Sequence, residues 1–68
     1  MDDVRGRLAS NLVKLRHDLG MSQEAFADHV GLHRTYVSDL ERRARNPTVE
    51  LVDRLARALH VKMGDLLD

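Results

Sequence analysis

The sequence predicts an all-α fold: five helices packed as one compact domain over residues 1–68. Three observations carry that prediction. Leucine, valine and alanine recur at spacings of three and four, the period that gathers apolar side chains on one face of a helix. Gly20, Gly31 and the pair Asn46-Pro47 separate the periodic stretches, and these are residues that end helices. Finally, the two central stretches are short and amphipathic and meet at a single glycine.

Val4, Leu8, Leu12, Leu15 and Leu19 form the stripe of the first helix, which Gly20 closes. Gly6 weakens the start of that helix by about 1 kcal/mol relative to alanine. Arg16 falls among Leu12, Leu15 and Leu19 and so is not fully solvated. The second helix begins at Ser22, whose hydroxyl can accept from a free amide one turn on, with Glu24 near the positive helix end. Met21 and Phe26 have the spacing of a hydrophobic staple. Phe26, Ala27 and Val30 then face inward, and Gly31 suits a left-handed helix end.

The third helix, about Arg34 to Arg42, carries Val37 and Leu40 on one side and Arg34, Thr35, Ser38, Asp39 and Arg42 on the other. Tyr36 lies at the margin, where its ring can pack and its hydroxyl can reach a phosphate. The residue before Pro47 is pushed out of helical geometry, so the third helix ends by this point. Thr48 can cap a fourth helix whose apolar face is Val49, Leu51, Val52, Leu55, Ala56 and Leu59, all expected in the core. A last helical turn runs from about Met63 to Leu67.

Composition narrows the function. A chain of 68 residues buries only about 60% of its unfolded surface, and no separate sensor domain is expected within it. Cysteine is absent, which removes disulfides and thiolate metal sites and fits a reducing, cytoplasmic setting. The start Met1-Asp2-Asp3 is acidic where a signal peptide needs a basic one, and no apolar run approaches the roughly 20 residues that span a bilayer. Lys+Arg and Asp+Glu both number 11, so the net charge is zero. The arrangement is nonetheless polarised: Arg34, Arg42, Arg43 and Arg45 surround the third helix, while Asp2, Asp3, Asp65 and Asp68 sit at the chain ends.

Two short helices joined at Gly31 read as a helix-turn-helix, and the polar arc of the second has the chemistry that reads base edges in a major groove. The plain alternative is a solvated helix face. Gln23, Ala27, Gly31, Val37 and Leu40 stand at the offsets of the phage repressor and Cro, lambda-repressor-like family of DNA-binding proteins, which the chain resembles. The run from Leu32 to Arg42 looks most like the controller proteins of restriction-modification systems. The resemblance extends to Asn46-Pro47-Thr48 with Leu51, Leu55, Ala56 and Leu59, and so covers nearly the whole chain.

The resemblance implies a sequence-specific transcriptional regulator, a homodimer on a near-palindromic operator in double-stranded DNA, with half-sites about one helical turn apart. Such a regulator represses by covering a promoter or activates by contacting RNA polymerase. Arg34 and Thr35 would read bases, with Ser38 and Asp39 beside them; arginine fits a guanine bidentately, and threonine offers a hydroxyl and a methyl. Asp39 would be repelled by phosphates unless a cytosine amino group, Arg34 or Arg42 compensates it. Gln23 would anchor a phosphate at the start of the second helix. His33 either caps the third helix or joins Tyr36, Arg42, Arg43, Arg45 and Asn46 on the backbone. The family also implies an ion pair between Arg16 and Glu41, structural in role, and packs residues such as Val61, Met63, Leu66 and Leu67 partly on their own core and partly across a two-fold interface; a dimer patch is favoured here over pure core.

Other classes fit less well. His17, His29, His33 and His60 suggest a metal, but Gly31 breaks the helix between His29 and His33, so no metal is expected. Ser10, Ser22 and Ser38 lack a nucleophile turn, so no catalysis is expected, and neither is a cofactor, small-molecule ligand or membrane partner. The rival is a protein-interaction module or an antitoxin built on the same fold. It would favour an apolar arc on the third helix, where this chain places Arg34, Thr35, Ser38 and Arg42.

Overall fold

Each helix opens where the free amides of its first turn find an acceptor or face solvent. In the computed structural model, which describes residues 3–68, α1 spans Val4–Asp18, and the Asp3 carboxylate accepts from the Gly6 amide at 2.9 Å. Met1 and Asp2, part of the acidic start, lie outside the described residues. α2 spans Gln23–Val30, with Ser22 Oγ accepting from the Ala25 amide at 3.1 Å. α3 spans Arg34–Glu41 and has no side-chain cap at His33, which removes the capping role from that residue. α4 spans Val49–Leu59, with Thr48 Oγ1 accepting from the Leu51 amide at 3.0 Å. In α5, Met63–Leu67, Asp65 reaches back to accept from the Lys62 amide at 3.0 Å.

Positive backbone angles mark the helix ends. Gly20 and Gly31 have φ of 68° and 74°, so both glycines sit where a Cβ would be strained. α3 ends one residue earlier than the sequence suggests, because Arg43 adopts φ 63° and the Ala44 amide returns to the Asp39 carbonyl at 2.8 Å. His60, with φ 57°, ends α4 as glycine ends α2.

Every helix contributes to one core: Leu8 and Leu12, Phe26 and Val30, Val37 and Leu40, Val52 and Leu55, and Leu66. The ends of the expected stripes do not join it. Val4 and Leu19 lie at the edges of α1, and Val49, expected in the core, is 71% exposed in the uncovered first turn of α4. Leu66 requires a correction in the other direction. It is fully buried inside this chain and so is not available to a dimer patch. The reason is the return of α5 onto α1, where Asn11 Nδ2 donates to the Leu66 carbonyl at 2.8 Å and Arg7 Nε to the Leu67 carbonyl at 2.6 Å. Val61, Met63 and Leu67 pack against the core while remaining partly exposed. Among the described residues no helix is long and apolar enough to cross a membrane.

Candidate nucleic-acid interface

The orientation of α3 is set from three sides. Val37 and Leu40 are buried beneath it. The left-handed turn at Gly31 joins it to α2, and the Gly31 carbonyl accepts from Arg54 Nη2 on α4. At its end, Glu41 receives Arg16 Nε at 2.8 Å and Arg16 Nη2 at 3.0 Å, and also Gln23 Nε2 at 3.1 Å. This is the ion pair that the resemblance implied. Burial pushes the Glu41 carboxyl up, but the hydrogen bonds from Arg16 and Gln23, with the Arg16 charge, outweigh it and hold the group below its ordinary value. Gln23 donates its amide inward here, where the sequence placed it on a phosphate.

On the outward side, Arg34, Thr35, Ser38, Asp39 and Arg42 line one shallow hollow of about 230 Å³. The five residues assigned to the polar arc therefore share a surface. Arg34 and Thr35 are exposed, and Arg34 makes no hydrogen bond or ion pair among the described residues. A rigid helix thus presents an uncommitted guanidinium next to a hydroxyl, which suits bidentate recognition of a planar edge.

Two neighbouring arginines are occupied. Arg42 Nη2 donates to Asp39 Oδ1 at 2.6 Å, and Arg45 Nε donates to Asp39 Oδ2 at 3.1 Å. These two hydrogen bonds, from Arg42 and then Arg45, hold the Asp39 carboxyl below its ordinary value. The Arg45 guanidinium also lies 4.3 Å from the centre of the Tyr36 ring, within cation–π range. Sequence reasoning foresaw compensation by Arg42 and missed Arg45. The i,i+3 spacing signals the first contact, whereas the second depends on the tight reversal at Arg43.

Arg43 itself requires a correction. The sequence groups it with Arg45 and Asn46 on phosphates, yet its guanidinium lies against Gly6, 3.4 Å from where a Cβ would stand, in a hollow shared with Asp3, Arg7 and Asp68. Its left-handed backbone turns the side chain toward α1. His33 is exposed at the head of α3, and Asn46 is exposed in the loop before α4.

A helix-turn-helix family model matches residues 12–66. The chain is 48% identical over 48 residues to control protein C.BamHI of Bacillus amyloliquefaciens, a match covering 71% of this chain and 59% of that protein. It is 40% identical over 65 residues to control protein C.SmaI of Serratia marcescens, covering 96% of this chain and 77% of that protein. Among solved structures it matches the restriction-modification controller protein C.Esp1396I, a tetramer in complex with its natural 35 base-pair operator, at a TM-score of 0.79 and 26% identity over the whole of both chains. The chain belongs to the helix-turn-helix family and, within it, is of the restriction-modification control-protein type.

Proposed function

We propose that this chain is a sequence-specific transcriptional regulator that places α3 in the major groove of double-stranded DNA. The observation that carries the proposal is Arg34, exposed and uncommitted beside Thr35 and Ser38 on a helix fixed by Arg16 and Glu41. Arg34 takes a guanine edge, Thr35 offers its hydroxyl and methyl, and Ser38 makes a lesser contact. His33, Tyr36, Arg45 and Asn46 beside that arc, and Arg42 within it, serve the sugar-phosphate backbone of the operator, which positions the protein, while Gln23 holds Glu41. The operator complex of C.Esp1396I supports the same use of the fold here.

Residues 1–68 act as one DNA-binding domain that pairs through Val61, Met63 and Leu67 and occupies a near-palindromic site. Its work is binding, not catalysis, in the cytoplasm, with RNA polymerase as a second partner where it activates. The neutral total charge is consistent with this, because Arg34 and Arg42 share the α3 hollow with a single carboxylate, Asp39.

Selection of bound duplexes from a random pool at about 150 mM salt, where non-specific binding is already weakened, tests the proposal. An enriched two-fold symmetric site is the expected result. A folded protein that enriches no sequence would contradict it and favour a protein-interaction module.

A further inference from the structure

An acidic side chain stands on the surface assigned to DNA. Asp39 lines the same hollow as Arg34 and Thr35, and a carboxylate there is repelled by phosphates. Both of its oxygens already accept from arginines, Oδ1 from Arg42 and Oδ2 from Arg45, and its side chain is only 17% exposed. Arg45 in turn covers the Tyr36 ring, and the Asp39 carbonyl accepts from the Ala44 amide, so backbone and side chain close the same turn.

The consequence follows from how arginine binds duplexes. A free arginine on an exposed loop meets a phosphate on any sequence and adds about 0.9 to the slope of log affinity against log salt. An arginine held by a carboxylate and laid over a ring occupies one pose, and is useful only where DNA presents an acceptor at that place. Resting on the DNA-binding function proposed above, we infer that Asp39 is a positioning residue for specificity. It withholds Arg42 and Arg45 from the phosphates of non-operator DNA and keeps Arg45 over Tyr36 for the operator.

The test compares the full chain with Asp39→Asn on the selected duplex and on a scrambled duplex of equal length, from about 50 to about 300 mM salt. In the variant, non-operator affinity should rise about tenfold, with a salt slope steeper by about 1 to 2. Operator affinity should rise less or fall, so that the ratio drops at least about fivefold. Equal gains on both duplexes would overturn the inference, because the carboxylate would then act through its charge alone. A loss of preference confined to one base pair would also overturn it, making Asp39 a base acceptor. In the double variant Asp39→Asn with Arg45→Gln, about half of the added slope should disappear; an unchanged slope contradicts the part assigned to Arg45. The two proposals fail separately: no enriched site removes the regulator, whereas an enriched site with an unchanged ratio in Asp39→Asn removes only the role of Asp39.

Discussion

Arg16 on α1 and Glu41 at the end of α3 meet through two parallel hydrogen bonds, with only 14% and 6% of their side chains exposed. The remaining Arg16 nitrogen, Nη1, donates to the Met21 carbonyl at 3.1 Å just before α2. One guanidinium therefore ties the last turn of α3 to α1 and to the approach to α2. Replacing Arg16 with Met leaves the Glu41 carboxylate buried without its charged partner, at a cost of about 3 kcal/mol. In a chain of this size that lowers the melting temperature by more than about 10 °C. Thermal unfolding checks this, and an unchanged midpoint contradicts it.

The same pair sets an acid limit. The folded Glu41 carboxyl titrates below its ordinary value of 4.5, so over that interval the unfolded chain binds more protons. The stabilisation is complete above the unfolded value and is lost as pH falls through the folded one. Asp39, also lowered by its arginines, acts in the same direction. Urea unfolding between about pH 6 and about pH 3 should show stability declining as pH falls, with a shallower decline in Glu41→Gln. Equal slopes in the two proteins would contradict a role for Glu41.

Gly31 and Gly20 separate backbone strain from contact. Both have positive φ, and alanine at either position is strained by about 1 kcal/mol. At Gly20 an added Cβ meets nothing within 4 Å, whereas at Gly31 it would stand 2.8 Å from Arg54 Nη2 and displace the hydrogen bond to the Gly31 carbonyl. Gly31→Ala should therefore cost about 1 kcal/mol more than Gly20→Ala. Equal melting temperatures in the two variants would refute the contribution of Arg54.

Val61, Met63 and Leu67 and the neighbouring Leu66 should respond differently to substitution. Met63→Lys places a charge on the partly exposed patch and should shift sedimentation toward monomer, with operator affinity reduced about tenfold or more. Leu66→Ala opens a cavity in the core and should cost about 2 to 5 kcal/mol at any protein concentration. A concentration-dependent defect in Leu66→Ala alone, with none in Met63→Lys, would move the dimer interface elsewhere.

Much of this was legible in the residues. Ser22, Thr48 and Gly31 announce their ends of helices because capping and left-handed geometry are local chemistry. The polar arc of α3 follows from helical periodicity alone. Periodicity does not say what covers a face, which is why Val49 emerged exposed and Leu66 buried. Arg16 and Glu41 are 25 residues apart, and family resemblance, not spacing, joined them. Arg43 and Arg45 are neighbours in a basic run, yet one left-handed residue sends the first toward α1 and lets the second reach Asp39.

The central claim, that the outward arc of α3 reads sequence through Arg34, is tested most directly by Arg34→Ala. The measurement is affinity of the unaltered chain and the variant for the selected operator and for duplexes with each base pair substituted in turn. The predicted result is a loss of about 1 to 3 kcal/mol tied to one base pair of each half-site, with preference relaxed there and kept elsewhere. A uniform loss across all duplexes would make Arg34 a phosphate contact and contradict the assignment.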